Sequence, residues 1–274
     1  MAILHANNAL TGTSKIIFTD GTTQTTAIAP GSTNIRVFTT SGTWTKPAAT
    51  FGYSMARIQV WGGGGGGGKS TNTNAAGAGG GGGYNELTVP LTYLAASIFV
   101  TVGSGGAGAT FTGVGGDGTA STVTLSSPWP QAGGISAVQA EGGQGGGFDA
   151  GNLYGGDAGG PLAASVTINI NNEGRGARAS ANNTDGIYFG GGGGGGFGLK
   201  PAGANSVFAG AGGSVGTSSG SVAGGISVYG GAGGTGDISV AGAGTAPGGG
   251  GGAAHNPNIN GGNGAAGRVV ITCF

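Results

Sequence analysis

The residue types best suited to catalysis are scarce in this sequence. His5 and His255 are its two histidines, and they lie near opposite ends of the chain. A metal site or a nucleophile activated by histidine needs several such side chains at one place. We therefore expect no metal site and no nucleophile–histidine pair, and we interpret both histidines as solvated loop residues.

Acidic residues offer a second kind of chemistry. Asp149 and Asp157 flank one short segment, and Glu173 and Asp185 flank another. Two carboxyl groups held about 5–10 Å apart hydrolyse glycosides, so a glycan depolymerase is the enzymatic alternative. Nothing in the sequence fixes either pair at such a distance. We interpret these carboxylates as solvated surface groups and predict that the protein is not an enzyme.

Glycine-rich strings of the kind that bind nucleotides are also present, for example G-x-G-x-x-G at Gly103–Gly108. Such a string binds a dinucleotide only between a strand and a helix. No stretch of the chain repeats its apolar residues at the 3.6-residue period of a helix. We therefore predict no cofactor.

Composition limits the partners. The 274 residues include nine Lys and Arg against nine Asp and Glu, a net charge of zero. Nucleic acids and anionic membranes are normally bound through a basic surplus, so we expect neither as a partner. No apolar stretch approaches the ~18 residues of a membrane span. Cys273 is the single cysteine, which excludes an internal disulfide.

The start of the chain, MAILHANNAL, has no basic segment followed by an apolar one. We therefore expect no signal peptide, synthesis in a cytoplasm and no export by the usual route.

Glycine dominates the chain, with 73 residues. It forms long runs at Gly62–Gly68, Gly79–Gly83, Gly190–Gly196 and Gly248–Gly252. Disordered chains are rich in charge, whereas only 7% of this chain is charged. An ordered run of glycine is best accommodated as a polyproline-II-type helix, which has three residues per turn and no internal hydrogen bonds. Its N–H and C=O groups must then pair with neighbouring segments, so we predict packed polyglycine-II helices.

Short stretches of alternating apolar and polar residues predict β-strands around these runs. Arg36–Thr40 and Thr43–Thr45 suggest a strand pair around Ser41-Gly42. Further strands are predicted at Ala56–Trp61, Tyr84–Val89, Ser97–Val102, Ser121–Leu125, Ser165–Ile170 and Arg268–Thr272. The predicted fold class is all-β: a glycine-rich, β-sandwich-like domain with packed polyglycine-II helices and almost no α-helix.

Residues 1–34 differ from the rest because glycine is sparse and threonine abundant. Lys15–Thr19 followed by Asp20-Gly21 predicts a strand entering a tight turn. A segment this short cannot bury a core of its own. We predict an attachment or oligomerisation segment at 1–34, followed by one glycine-rich domain at 35–274.

The predicted loops are 69–76, 126–132, 148–157, 171–186 and 253–260. They are rich in Asn, Ser, Thr, Pro and aromatic residues.

Aromatic residues divide into two groups. Trp61, Tyr84 and Phe99 border glycine runs, so we expect them to pack over glycine backbone or close the sheet. Trp129 stands between two prolines, and Phe148 and Tyr154 lie in a predicted loop. Exposed aromatics on rigid loops are typical of binding surfaces, but each could equally anchor its loop by turning inwards.

Several blocks of sequence resemble a known family. TTSGTWTKPA at Thr39–Ala48 and ARIQVW at Ala56–Trp61, leading into Gly62–Gly68, resemble the opening of glycine-rich domains in bacteriophage tail fibres and receptor-binding adhesins. Ser97–Ala109, Gly115–Leu125 and Asn263–Phe274 fit the same domain type, and IIFTDGTTQTTA at 16–27 is similar to fibre attachment segments.

This resemblance implies a rigid polyglycine scaffold whose loops bind a receptor on the bacterial surface, either an outer-membrane protein or a polysaccharide. It places the protein in a virion, at the tip of a tail fibre, mounted on other phage tail or baseplate proteins. A homotrimer is the expected assembly. The alternative is a purely structural virion protein, such as a fibre shaft, a baseplate component or a capsid decoration.

On the same resemblance, the loops supply the receptor-binding residues. The candidates are Lys69, Asn72, Asn74, Trp129, Tyr154, Arg175, Arg178, Asn182, Asn183, Asp185, His255 and Asn258.

Overall fold

The structure, a computed structural model, describes residues 16–17, 23–24, 33–70, 76–129, 135–147, 156, 159, 161–163, 191–192, 194, 202–216, 220–237, 239–254, 256 and 258–274. The strands in these ranges are β1 (Ile16–Ile17), β2 (Thr23–Gln24), β3 (Asn34–Phe38), β4 (Gly42–Thr45), β5 (Met55–Trp61), β6 (Tyr84–Pro90), β7 (Ser97–Thr101), β8 (Ser121–Trp129), β9 (Ile135–Ala140), β10 (Pro161–Ala163) and β11 (Arg268–Cys273).

Helical structure in the described part of the chain is confined to two 3₁₀ turns, Ala49–Phe51 and Leu91–Tyr93. Neither of these turns is long enough to cross a membrane, and no longer helix occurs in the ranges given above.

Two antiparallel sheets form the β part of the domain. One has the strand order β3-β11-β5-β6 and the other β10-β9-β8-β7-β4, while β1 and β2 pair separately. The core lies between the two sheets, where Ile58 and Val60 of the first meet Val100, Val123 and Val138 of the second. Alternation of buried and outward residues along β5 follows from the two-residue period of a strand. The predicted all-β fold is confirmed.

The predicted strand pair around Ser41-Gly42 is wrong. β3 pairs with β11 and β4 pairs with β7, so the chain changes sheet between Phe38 and Gly42. Phe38 and Trp44 consequently enter the shared core from opposite sheets. A hairpin would have placed both aromatic rings on one sheet.

The predicted loop at 126–132 is also wrong in its first half. β8 continues to Trp129, which pairs with Ile135 of β9 after a shift in register. Neither β9 nor β10 was predicted as a strand. The predicted strand Ser165–Ile170 lies outside the described residues.

The glycine runs pack into a brick of extended segments. Along 62–68, the backbone N–H of Gly62, Gly65 and Gly68 donates to the carbonyls of Gly83, Gly80 and Gly77, at 3.0, 2.8 and 2.9 Å. The same neighbour therefore returns every third residue, as a helix with three residues per turn requires.

The two residues between each of these donors bond to other segments. Segment 62–68 donates to three neighbours and accepts from three more, so that it is enclosed by 76–83, 113–119, 261–267, 103–109, 141–147 and 248–254. Six neighbours around one helix is hexagonal packing, which confirms the predicted polyglycine-II arrangement.

Side chains are excluded from this brick by its backbone spacing. A Cβ added to Gly65 would stand 1.9 Å from the carbonyl oxygen of Gln144, and one added to Gly63 would stand 2.0 Å from that of Ser104. Each of these carbonyls is itself held by a backbone hydrogen bond, from the N–H of Gly80 to Gln144 and from the N–H of Thr119 to Ser104, both at 3.0 Å. The glycine run is therefore a packing requirement and not a flexible linker.

Candidate functional site

The glycine segments of the brick run side by side, so each loop that connects them lies at one of the two ends of the brick. β5 leads directly into Gly62, and Gly62 bonds to Gly83, which precedes β6. The other end of the same segment, Gly68, bonds to Gly77. The sheets therefore lie at one end of the brick, which we call the base. Segments of this length, at about 3.1 Å per residue, place the opposite end roughly 20 Å away.

We call that opposite end the tip. Its described residues are Lys69 and Ser70, 110–114, 239–241, Asn256 and 258–260. Hydrogen bonds join these groups across the tip. The N–H and C=O of Lys69 bond to the backbone of Gly113, and the N–H of Gly261 donates to the carbonyl of Ala109. Asp237 and Ala254, which precede two of the groups, form an isolated parallel β-bridge. Gly147 and Gly156, which flank 148–155, also lie here, because they bond to Gly77 and Ala78.

Lys69 joins three parts of the tip. Its Nζ donates to the carbonyl oxygen of Thr110 and to Oδ1 of Asn260, both at 2.9 Å. Asn258 is exposed, and its backbone N–H donates to Oδ1 of Asn256 at 2.9 Å. Of the predicted contact residues, the structure brings Lys69 and Asn258 to the same end of the molecule, and it gives Lys69 a role in holding the loops.

Apolar side chains project from the same loops. Phe111 is 86% exposed, Val240 is 69% exposed and Val114 is 58% exposed. An exposed aromatic residue on a loop fixed at both ends by hydrogen bonds is a typical contact residue of a binding surface. None of these three residues is among the contact residues predicted from the sequence. The one signal available for Phe111 is its place in a short polar segment between two glycine-rich stretches.

Of the other predicted contact residues, Trp129 lies within the described ranges, and it is not at the tip. Trp129 ends β8, at the far side of the sheets from the brick. The following predicted residues lie outside the described ranges: Asn72, Asn74, Tyr154, Arg175, Arg178, Asn182, Asn183, Asp185 and His255.

Aromatic rings instead form a stack at the base. Trp61 and Tyr84 are buried with their ring centroids 4.8 Å apart, Tyr84 stacks on Phe208 at 5.4 Å, and Phe208 stacks on Tyr229 at 5.0 Å. Indole Nε1 of Trp61 donates to the carbonyl of Phe208 at 2.7 Å. The predicted packing role of Trp61 and Tyr84 agrees with this. The packing role predicted for Phe99 is wrong, since the Phe99 side chain points outward from β7 and is 63% exposed.

A polar network borders this stack. Arg57 donates to Oε2 of Glu86 at 2.7 Å, Gln59 donates to the Tyr84 hydroxyl at 2.9 Å, and that hydroxyl donates to Oε2 of Glu86. Burial, together with the bond to Glu86, raises the pKa of Tyr84 far above its usual value. Burial alone would raise the pKa of Glu86, but the hydrogen bonds from Arg57 and Tyr84 outweigh it and lower that pKa.

This network has one carboxylate, and the described residues contain no group of three His, Cys, Asp or Glu side chains able to hold a metal ion. Its contacts are those of a structural network.

The comparisons with known proteins fit this architecture. A family model described as a glycine-rich domain matches residues 37–274. A search of curated proteins finds no match. Because the family model spans most of the chain, including both sheets and the brick, the protein belongs to the glycine-rich domain family.

Proposed function

We propose that this protein is a bacteriophage tail-fibre or adhesin protein that binds a receptor on the bacterial host surface, without catalysis, through loops displayed on a rigid polyglycine scaffold. The observation that carries the proposal is the tip: loops from several segments meet at one end of a hydrogen-bonded brick and expose Phe111, Val114 and Val240 there.

The physical basis is the separation of scaffold from loops. Every third residue of segment 62–68 bonds to the same neighbour, so the brick resists deformation whatever the loops contain. Described loop ends at the tip are fixed to one another: Lys69 and Gly113 exchange two backbone hydrogen bonds of 3.0 Å. Fixed ends reduce the conformational entropy that a loop loses on binding. Loop sequences can therefore change with the receptor while the fold is kept.

The proposal includes partners and a location. The receptor is an outer-membrane protein or a polysaccharide, the protein resides at the tip of a virion's tail fibre, and residues 1–34 mount it on other phage tail or baseplate proteins. Copies of the chain associate, with a trimer expected from the resemblance.

The test is binding of the fluorescently labelled full-length protein to a panel of bacterial strains, measured by flow cytometry. The tip variant carries Phe111→Ser and Val240→Ser. Truncating exposed anchor residues of an interface typically costs more than about 1 kcal/mol each, so we expect the apparent Kd for cells to rise at least tenfold.

The matched control carries Ile226→Ser and Val228→Ser, which change two equally exposed apolar residues at the base, each 69% exposed. We expect the control to bind as the unaltered protein does. Equal loss in both variants would remove the tip from the proposal. If the unaltered, folded protein binds no strain while it is found in purified virions, the structural alternative, a shaft, baseplate or decoration protein, replaces the adhesin.

A further inference from the structure

The outer side of the β10-β9-β8-β7-β4 sheet, away from the core, carries one exposed aromatic ring between threonines. Phe99 of β7 is 63% exposed. Thr43 of β4 pairs directly with it. β7 pairs with β8 through Val100 and Val123, and one step further in that register Thr124 stands beside Phe99. The ring is therefore flanked by a threonine on each neighbouring strand.

Hydroxyl groups also continue along the strands above and below this ring. Ser97 and Thr101 lie two residues before and after Phe99 on β7, and therefore on the same side of the sheet. Thr45 pairs with Ser97, and Thr122 pairs with Thr101. We call this surface the threonine face, and it comprises Thr43, Thr45, Ser97, Phe99, Thr101, Thr122 and Thr124.

The threonine face has unused hydrogen-bonding capacity and no charge. Within the described residues, none of its hydroxyl groups forms a hydrogen bond to another protein group. None of its side chains is charged. Lys46 directly follows β4, but its Nζ donates to the carbonyls of Leu91 and Leu94 at 3.1 and 2.6 Å, so this amine is already paired. Each hydroxyl of the face is left with one donor and two acceptor lone pairs for a ligand or for water.

The spacing of these groups suits a sugar. Opposite residues on neighbouring strands lie about 5 Å apart, and residues two apart on one strand lie about 6.7 Å apart. The hydroxyl-bearing neighbours of Phe99 therefore surround its ring over roughly 10 by 13 Å, an area that a disaccharide covers.

We propose that the threonine face binds a neutral polysaccharide. A pyranose ring carries C–H groups on its faces and hydroxyl groups around its edge. Its C–H face lies on the Phe99 ring, because the negative face of an aromatic ring attracts weakly positive hydrogens. Its edge hydroxyls exchange hydrogen bonds with the threonines, which both donate and accept. A face without charge fits a sugar without carboxylate, sulfate or phosphate groups.

The composition of this face favours a sugar over a protein partner. Serine and threonine are scarce among the residues that dominate protein–protein binding, since a hydroxyl covered by an apolar side chain loses its hydrogen bond to water. A sugar returns a hydrogen bond to each hydroxyl that it covers. Side chains on paired strands of a sheet are also held in place beforehand, which lowers the entropic cost of binding. The threonine face lies on the sheets at the base, so the proposal does not depend on the tip.

The experiment is affinity electrophoresis of the full-length protein in native gels that contain dextran, mannan or galactan, with polygalacturonate as the acidic comparison. We expect at least one neutral polymer to retard the unaltered protein and polygalacturonate to leave its mobility unchanged. Phe99→Ser should raise the apparent Kd for that neutral polymer at least about fivefold, as the loss of one anchor side chain typically does. Phe99→Trp keeps an aromatic face and should retain binding.

The matched control is Phe111→Ser, which removes an exposed phenylalanine at the tip and should leave the retardation unchanged. The double variant Thr43→Val and Thr124→Val replaces the flanking hydroxyls by methyl groups and should also weaken binding. Thermal unfolding of each variant separates lost binding from misfolding.

The proposal is overturned if no neutral polymer retards the protein or if polygalacturonate retards it equally. It is also overturned if Phe99→Ser and the double threonine variant leave the retardation unchanged, or if Phe111→Ser abolishes it. The proposed function fails separately, because the polymers are tested without cells and Phe99→Ser leaves the tip residues unaltered. A tip variant that no longer binds cells should still be retarded by the neutral polymer.

Discussion

Replacing one glycine inside the brick should destabilise the whole domain, and Gly65→Ala is the sharpest case. A Cβ at this position would stand 1.9 Å from the carbonyl oxygen and 2.3 Å from the carbonyl carbon of Gln144. Real Cβ atoms essentially never approach within 3.0 Å, so segments 62–68 and 141–147 must part by about 1 Å. No rotamer change relieves this contact, since the position of a Cβ is fixed by its own backbone and the opposing atoms of Gln144 are backbone atoms.

The cost has two parts. Overpacking typically costs about 1–3 kcal/mol. Parting the segments also strains the bonds from Gly143 to Gly63 and from Gly146 to Gly66, at 2.9 and 2.8 Å, each with a net value of about 0.5–1.5 kcal/mol. Alanine also lowers the conformational entropy of the unfolded chain, which offsets about 0.4–1 kcal/mol of this destabilisation. We therefore expect a net loss of roughly 1–5.5 kcal/mol, a large part of the 5–15 kcal/mol typical of a domain.

The assay is thermal and guanidinium unfolding, compared with Gly42→Ala. A Cβ on Gly42 meets the Phe38 ring at 3.7 Å, an ordinary van der Waals contact, so this control should stay within about 0.5 kcal/mol of the unaltered protein. Gly65→Ala should lower Tm by at least about 2 °C. If the two variants unfold within about 0.5 kcal/mol of each other, the brick is not packed as the structure has it, and the argument from backbone spacing fails.

Two further predictions concern titratable groups. Because the folded-state pKa of Glu86 is lowered, its contribution to stability is complete above the unfolded pKa near 4.3 and is lost as pH falls through the folded pKa. The unfolding free energy of the unaltered protein should therefore fall more steeply between about pH 5 and pH 3 than that of Glu86→Gln. Parallel curves for the two proteins would refute the stabilising role of the network. Cys273 is fully buried, and burial raises the pKa of its thiol. The thiol should therefore react with a disulfide reagent at pH 8 only as the protein unfolds in guanidinium. Rapid reaction of the folded protein would contradict the position of Cys273 in the core.

Much of the fold followed from local sequence. The alternation along Ala56–Trp61 predicted a strand with two different faces, because successive residues of a strand point to opposite sides. The glycine runs predicted polyglycine-II helices because an uninterrupted run satisfies neither a helix nor an ordinary strand. Both predictions depend on one stretch of chain at a time.

Strand pairing did not follow in the same way. The proposed pair around Ser41-Gly42 had a plausible turn, yet β3 pairs with β11, more than 200 residues later. β9 contains a short apolar alternation, but its identity as a strand depends on pairing with both β8 and β10. Which distant strands pair depends on the burial of their side chains in the common core, and a short stretch of sequence does not contain that information.

The candidate site shows the same division. The sequence by itself determined that Lys69 and Asn258 lie in polar segments between glycine runs, since such segments cannot join the packed backbone. Only the tertiary structure decided that these two segments meet the segment of Phe111 at one end of the brick. It also decided that Trp129 belongs to a strand of the sheets. The reason is the hexagonal packing: the direction of each glycine segment is set by its neighbours through backbone hydrogen bonds, and that direction alone assigns a loop to the tip or to the base.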